Sequence, residues 1–544
     1  MKNIIKISMI FLLATNLVGC RKYFDINSDP TSPQKPSLSS LLLPATSVMS
    51  RTMAFDGRFI GQYIQNWSHT SASEAYDIHG GNTATAGLVG SQLWRDLYQQ
   101  QGEAINVMLR IGNEGKNWDY MGVASALRAW GFQQGTDYFG EMPFYQAWEQ
   151  NRAFFDYDTQ DVIYAGVDSI CRSAIAYLDR NDGAVPLNLL ARGDQVYNGD
   201  RSKWKKFVYG ILARNYHHQT NKVDYKPDSV IKFVGLALAS NADNFLVRHT
   251  ASRNDDTNPW GPARDNLSVR RQSRFAVQLL DGTIFTGSSV NRSNRDPRLS
   301  RMLSASPDTG TLNSTMPSLN GGYRFLTPAA GFVVSNPATR VTPSTLYGDS
   351  ALLYSVINNF APTNGKYIFR NGADYPVMTY GEMQFILAEA YFRKGDLPNA
   401  FTAYRNGINA SLDMVSTFSP GNSISATERT AYLASPNVVQ LSNNLTISDI
   451  MLQKYINDFG WNFIESWVDL RRYHYNLDVD PATTLPVYRT FAVSVFSSLN
   501  LGPKFAYRFR PTSFSEYDWN IESLRKIGAL NDDYHTYEMW FSQP

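Results

Sequence analysis

Residues 379–414, TYGEMQFILAEAYFRKGDLPNAFTAYRNGINASLDM, predict two amphipathic helices joined by a very short turn. The apolar residues of the first half recur at helical spacing, at Tyr380, Met383, Leu387 and Tyr391. Gly395 is typical of the end of a helix, and Asp396 with Pro398 is typical of the start of the next. We therefore predict a helical hairpin here.

A hairpin of about 34 residues has the period of a tetratricopeptide repeat, and one such pair cannot bury its apolar face without stacked neighbours. Further helical stripes begin at Trp94, Tyr120, Ile163 and Trp204. Together they make about four pairs or partial pairs, and about three are needed for a stable stack. We predict a mostly α-helical protein with a tetratricopeptide-repeat-like helical stack.

The helical scaffold is predicted to consist of residues 41–240 together with residues 376–544, whose repeat helices and C-terminal segment complete it. Near its end, residues 448–473 keep one apolar stripe through Gly460, which predicts a continuous helix. Cys171 lies in an apolar helical stripe and is predicted to be a buried free thiol.

Residues 241–375 differ in composition, because Asn, Asp, Gly, Ser, Thr and Pro dominate them. Short apolar pieces, such as residues 331–334 and 366–370, predict hairpin strands or irregular loops. A run of this length predicts a separate loop-rich, minor-β lobe that rests on the helical stack. Loops on a rigid scaffold usually carry binding surfaces, so we expect this lobe to face the ligand.

The charge balance excludes several classes of partner. The 50 basic residues oppose 48 acidic ones, which gives a formal net charge of +2. This charge falls to zero if Lys2 and Lys6 leave with a signal peptide. The sequence therefore lacks the basic footprint of a nucleic-acid-binding protein, and we expect no nucleic-acid partner.

Residues 1–19 are predicted to be a lipoprotein signal peptide, because Lys2 and Lys6 precede an apolar run too short to span a bilayer. The run ends in LVGC, residues 17–20, which resembles a bacterial lipobox. Cys20 would then carry a diacylglyceryl group as a lipid anchor, with residues 20–40 as a lipidated tether. An ordinary signal peptide with a chance cysteine is the alternative.

Several segments, taken together, resemble the SusD/RagB family of outer-membrane lipoproteins of Bacteroidetes-type bacteria. In chain order they are TDYFGEMPF (136–144), SKW (202–204), DPRL (296–299), EMQFILAEAY (382–391), QKY (453–455), ESWVDLRR (465–472) and RP (510–511), followed by Glu516, Tyr517 and Asn520. With the lipobox, these segments cover nearly the whole mature chain.

The resemblance implies a lipid-anchored protein at the cell outer membrane, exposed at the surface and docked on a SusC-type TonB-dependent transporter. The loop-rich lobe would act as a lid that captures a glycan or, as in RagB-like members, a peptide, for nutrient uptake and polysaccharide utilisation. The implied role is binding without catalysis. Two alternatives stay open: a secreted glycan hydrolase on a helical scaffold, and a repeat protein that serves only as an assembly scaffold.

No motif in the chain is typical of catalysis or of a cofactor site. The sequence has no Gly-rich phosphate loop and no Gly-x-Ser-x-Gly elbow, so we expect no catalytic residue and no cofactor. His217 and His218 are adjacent rather than at metal-ligand spacing, so we expect surface or capped histidines and no metal site. Glu465 and Asp469 are expected on a solvated face, or paired with the arginines that follow them, rather than flanking a sugar ring.

Four loop aromatics are the candidate ligand-binding residues, Trp67, Tyr76, Trp260 and Tyr323, and each has polar neighbours in the chain. A flat ring can stack on the apolar face of a pyranose while Asn, Asp and Arg bond its hydroxyls. Core packing is the alternative for each, because Trp and Tyr are buried on average. We expect at least one of the four to face the ligand.

Overall fold

The structure is a computed structural model and describes residues 36–81, 92–287, 295–306, 322–332, 343–348, 361–512 and 515–544. The predicted signal peptide, Cys20 and most of the predicted tether lie outside these residues. Among the helices of the described ranges, none combines the length and the apolar character that a membrane crossing requires.

Helices dominate the described chain, which confirms the predicted mostly α-helical class. The N-terminal helices are α1 Leu38–Tyr63, α2 Gln92–Arg95, α3 Gln101–Glu114, α4 Trp118–Phe139, α5 Gln160–Leu178, α6 Arg201–His217 and α7 Pro227–Leu236. A π-helical turn, Asp96–Gln100, joins α2 to α3. The central helices are short: α8 Arg274–Leu280, α9 Thr283–Thr286 and α10 Leu299–Met302. The C-terminal helices are α11 Tyr380–Arg393, α12 Leu397–Thr417, α13 Ala426–Leu433, α14 Ile447–Asp458, α15 Phe463–Arg472, α16 Glu516–Trp519 and α17 Ile521–Lys526.

Two small antiparallel sheets join distant parts of the chain. Strand β1, Trp67–His69, pairs with β3, Arg270–Gln272, and strand β2, Phe245–Val247, pairs with β4, Tyr375–Met378. Buried residues of the predicted lobe, such as Phe275, belong to the same hydrophobic core as the helices. Residues 241–375, the predicted lobe, are therefore joined to the helices by paired strands and by shared apolar packing.

The predicted helical hairpin is confirmed as α11 and α12. Gly395 adopts a φ of +78°, which ends α11, and the Asp396 carboxylate accepts the backbone N–H of Asn399 at 3.2 Å to cap α12. A Cβ atom on Gly407 would lie 2.8 Å from the ring of Phe385. The two helices therefore approach each other closely at this glycine.

Two helices end close to a glycine with a positive φ. The first residues of TDYFGEMPF form the last turn of α4, which ends where Gly140 adopts a φ of +85°. The predicted continuous helix through Gly460 is wrong, because α14 ends at Asp458 and α15 begins at Phe463. Gly460 has a φ of +84° and donates its backbone N–H to Asn66 Oδ1 at 2.7 Å. The apolar stripe continues only because both helices contact the same core.

Replacing Gly460 with alanine is expected to lower the free energy of unfolding by about 2 kcal/mol. The new Cβ would lie 2.8 Å from Ile368 and would be held at a positive φ. Urea unfolding followed by tryptophan fluorescence measures the change. Gly421→Ala is the matched control, because Gly421 has a φ of +79° but no neighbouring atom within 4 Å of the added Cβ. Equal losses in the two variants would show that packing at Gly460 contributes nothing.

The side chain of Cys171 confirms the predicted buried free thiol. It lies in α5 with no exposed surface. Burial raises the pKa of this thiol well above its usual value. Cys171 therefore packs as a small apolar residue.

Candidate functional site

Trp67 and Trp260, two of the four candidate ligand residues, lie in the core with 0% exposure. Their rings meet edge to face with centroids 5.4 Å apart, and both pack on Phe463. The Trp67 indole N–H also donates to the backbone oxygen of Arg58 at 3.0 Å. A ring without exposed surface has none to offer a sugar, so the structure assigns both tryptophans to packing.

The polar neighbours of these tryptophans bond inside the protein. Asn66 Nδ2 donates to the Tyr455 hydroxyl at 2.9 Å. Asn258 Nδ2 donates to the backbone oxygen of Ala373 at 2.7 Å. A polar residue beside an aromatic one can bond either a sugar or another buried group of the protein. The sequence alone does not distinguish these two roles.

The two candidate tyrosines have different surroundings. Tyr76 is buried, with its ring centroid 4.7 Å from that of Phe59 and stacked on Phe509 at 6.0 Å. Tyr323 is half-buried and lines a cavity of about 260 Å³ together with Arg301 and Tyr432. The ligand role of Tyr323 stays a prediction.

A cleft of about 780 Å³ lies among four parts of the chain. These are α1, α2 with the π-helical turn that follows it, the loop after α4, and the residues at the start of α16. Its aromatic lining consists of Phe55, Trp94, Tyr98 and Phe155. Its polar lining consists of Gln92, Arg95, Gln99, Thr512, Ser515 and Glu516. Volume and lining are those of a small-molecule site with a few polar groups for orientation.

The aromatic wall of the cleft is fixed by α2 and the π-helical turn. Trp94 and Tyr98 are four residues apart, so their side chains lie on one face, with ring centroids 5.1 Å apart. Trp94 also meets Phe139 edge to face at 5.1 Å. The Tyr98 hydroxyl donates to the backbone oxygen of Pro143 at 2.5 Å, which holds the loop after α4 against this wall.

The opposite wall is fixed by a network around Glu516. Its carboxylate accepts the Tyr157 hydroxyl at 2.8 Å and Asn520 Nδ2 at 2.9 Å. Asn520 also pairs with the backbone of Phe155, accepting its N–H at 3.2 Å and donating to its oxygen at 2.9 Å. These bonds hold Phe155 and Glu516 in fixed positions on the same side of the cleft.

Two buried carboxylates accept hydrogen bonds from Gln92, which lines the cleft. Asp56 accepts the backbone N–H groups of Leu93 at 2.9 Å and of Gln92 at 3.3 Å, so it caps α2. Asp96 accepts Gln92 Nε2 at 2.7 Å. Burial raises the pKa of Asp56 to about 7 and raises the pKa of Asp96 above its usual value.

The sequence did not single out this cleft. Trp94 begins one of the predicted helical stripes, which continues through Tyr98, Ile105 and Met108, and the burial of Trp94, Ile105 and Met108 fits that stripe. One edge of the stripe lines the cleft together with Pro143, Phe155 and Glu516, which belong to segments distant in the chain. No local pattern in the sequence marks that edge.

The predicted surface or capped histidines are instead buried among carboxylates. His218 Nε2 lies 2.7 Å from Glu465, and its Nδ1 lies 3.3 Å from Asp137. Burial alone would lower the pKa of His218, but these two carboxylates outweigh it and raise the pKa to about 9. Burial lowers the pKa of His217 to about 4, although Glu389 lies 3.1 Å away.

Glu465 and Asp469 are buried, so the predicted solvated face is wrong. Asp469 pairs with Arg472 at 2.6 Å, which is one of the predicted pairings. Glu465 pairs instead with His218 and, at 3.6 Å, with Arg214 of α6. The pairing partner of Glu465 thus comes from a distant helix rather than from the arginines that follow it.

Two groups of buried side chains have ligand atoms close enough to hold a metal ion: Asp137, His218 and Glu465, and His217, Glu389 and Asp469. Each group already contacts a guanidinium. Arg214 lies beside the first, and Arg472 donates to Glu389 at 2.8 Å in the second. These arginines supply the positive charge that a cation would bring, so we assign both groups to ion pairing within the scaffold.

Sequence comparison places most of the chain in one family model. Residues 30–484 match the model described as SusD-like, starch-binding associating with outer membrane. No curated protein matches the sequence.

The fold is similar to that of solved structures. A chitin-binding protein is 20% identical, with 93% of this chain and 100% of that chain covered and a TM-score of 0.68. A SusD homologue from Parabacteroides distasonis is 20% identical, with coverages of 93% and 98% and a TM-score of 0.67. A SusD homologue from Bacteroides fragilis is 18% identical, with coverages of 94% and 100% and a TM-score of 0.65. At these identities the likeness establishes the fold.

Proposed function

We propose that this chain, which belongs to the SusD-like family of outer-membrane-associated proteins, captures oligosaccharides in the cleft between α1 and α16. The observation that carries the proposal is the lining of the cleft, in which four aromatic rings stand among amide, hydroxyl and charged groups. The names of the family and of the chitin-binding structure support a glycan as the ligand.

The cleft suits a sugar for a physical reason. A pyranose has an apolar face that packs on an aromatic ring and a rim of hydroxyls that need hydrogen-bond partners. Phe55, Tyr98 and Phe155 are half-buried, so each keeps part of a ring open to the cleft. Gln99 provides an amide donor and acceptor beside them.

The lining of the cleft favours binding over hydrolysis. Among the described residues that line it, Glu516 is the one carboxylate, whereas glycoside hydrolysis ordinarily needs a pair of carboxylates flanking the scissile bond. Glu516 is also engaged by Tyr157 and Asn520. A turnover assay on mixed glycans tests this part of the proposal, and any enzyme-dependent release of reducing ends would overturn it.

The proposed cellular role places the chain on the outer membrane through a lipid on Cys20, with a SusC-type TonB-dependent transporter as its partner. The lipobox-like LVGC segment and family membership support this arrangement. The captured oligosaccharide, or a peptide in a RagB-like variation, would pass to the transporter. Co-purification from membranes with the lipidated full-length chain tests the partner, and Cys20→Ala tests the anchor.

Replacing Phe155 with alanine is expected to weaken glycan binding about tenfold, because the variant loses one stacking ring while Asn520 still bonds the backbone at position 155. Isothermal calorimetry of the mature chain against a panel of oligosaccharides and peptides measures the change. The ligand is first identified with the unaltered protein.

Phe154→Ala is the matched control. Phe154 is the preceding residue, is 62% exposed and does not line the cleft, so its removal should leave affinity unchanged. Equal affinities for the Phe155→Ala variant and the unaltered protein would place the ligand outside this cleft. Binding of a peptide but of no glycan would change the proposed ligand class.

A further inference from the structure

A second cavity of about 280 Å³ adjoins the aromatic cleft. Phe55, Gln92 and Arg95 line both spaces, so the two lie side by side. Glu516 lines the cleft but not the second cavity. The two spaces therefore differ in the charge of their lining residues.

Three arginines line the second cavity: Arg51, Arg95 and Arg264. Its other lining residues carry no charge, so in the described part of the chain no carboxylate lines this space. Arg51 Nη2 donates to Gln100 Oε1 at 2.9 Å, and Arg264 Nη1 donates to the backbone oxygen of Asn254 at 3.2 Å. A guanidinium has five N–H donors, so most donors of these two exposed side chains remain available to a ligand.

Two buried carboxylates lie near the second cavity but do not line it. Asp96 lies 3.9 Å from Arg95, but it is already bonded to Thr52 and Gln92. Asp56 caps α2 through two backbone N–H groups. Burial raises the pKa of both carboxyl groups, so each bears its charge less readily than an exposed aspartate.

We propose that the cavity lined by Arg51, Arg95 and Arg264 binds an anionic substituent, a carboxylate or a sulfate ester, of a glycan whose sugar rings lie in the aromatic cleft. The inference rests on the proposed function and names its substrate class as acidic oligosaccharides. Arginine suits this role because its planar guanidinium binds carboxylate and sulfate oxygens through paired hydrogen bonds. The adjacency of the two spaces favours a substituent on a glycan over a free anion.

The test compares three matched oligosaccharides by calorimetry with the mature chain: a neutral one, its uronic-acid counterpart and its sulfated counterpart. We expect at least one acidic form to bind about tenfold more tightly than the neutral form. Added salt should weaken binding of the acidic form more than that of the neutral form. The two acidic arms distinguish a carboxylate from a sulfate ester.

Arg51→Gln and Arg264→Gln should each reduce the acidic-over-neutral preference several-fold, because each removes one charge while keeping a polar side chain. Arg274→Gln is the control, since Arg274 is exposed and, like Arg51, donates to a glutamine, Gln278. Inorganic sulfate and free glucuronate, added as competitors, test whether the anion alone binds.

The outcomes separate this inference from the proposed function. Neutral and acidic glycans that bind equally, with binding still weakened by Phe155→Ala, would overturn the acidic preference alone. Binding of inorganic sulfate as tightly as of the sulfated glycan would also overturn it, because the sugar would then contribute nothing. Failure of every glycan to bind would overturn both.

Discussion

Replacing Arg472 with leucine is expected to lower the free energy of unfolding by about 3 kcal/mol, which is the cost of removing one member of a buried ion-pair network. Arg472 donates to Glu389 at 2.8 Å and to Asp469 at 2.6 Å, and all three side chains are buried. The leucine side chain fills much of the space but offers no hydrogen bond. Urea unfolding monitored by tryptophan fluorescence measures the loss.

Arg172→Leu is the matched control for Arg472→Leu. Arg172 also pairs with an aspartate, Asp168, at 2.6 Å, but it lies on the surface, where such a pair contributes about 0–1 kcal/mol. A loss below 1 kcal/mol in Arg472→Leu would show that the network does not stabilise the scaffold.

The free energy of unfolding is expected to fall by about 3 kcal/mol as pH rises from 6.5 to 9, because over this range the folded protein keeps a proton on His218 that the unfolded chain has released. The neighbouring carboxylates of Glu465 and Asp137 outweigh burial and raise the pKa of His218 to about 9 in the folded protein. The unfolded chain releases the same proton near pH 6.5. The contribution is therefore fully present below pH 6.5 and is lost as pH rises through 9.

The comparison of His218→Gln with the unaltered protein isolates this contribution. His474, whose pKa the carboxylates of Asp478 and Glu538 raise to about 10, acts in the same direction and is present in both proteins. The variant should be less stable near pH 6, and the two unfolding free energies should converge near pH 9.5. A difference that stays constant across this range would contradict a charged His218.

Features that depend on neighbours in the chain were predictable. The α11–α12 hairpin follows from apolar spacing and from Gly395, Asp396 and Pro398, all within one stretch. A helix period and a cap require only a few consecutive residues, so the sequence carries them locally. The family assignment was predictable for a similar reason, because its motifs recur in order along nearly the whole chain.

Features that depend on distant residues were not predictable. The residues of the Arg214–Glu382 pair are separated by 168 positions and those of the Arg472–Glu389 pair by 83. Helix packing determines which residues pair, because a buried charge pairs with the opposite charge that lies next to it on the neighbouring helix. For the same reason, His217 and His218 looked like surface residues in the sequence but are buried among carboxylates.

The ligand surface shows the same division. Trp67 and Trp260 had the composition of a sugar site, yet β1 and the residues around Trp260 turn these rings toward Phe463. Trp94 lies in an apolar helical stripe that predicts a core residue, and it is buried, yet it also lines the cleft. Whether an aromatic ring meets protein or solvent depends on which distant loops cover it.

By itself, the sequence determined the mostly helical class, the hairpin with its caps, the buried Cys171 and the family, because period, capping and motif order are properties of neighbouring residues. Only the tertiary structure decided the break at Gly460, the partners of the buried charges and the position of the aromatic cleft. Each of these arises where segments far apart in the chain meet, and packing selects among contacts that the local sequence leaves equally open.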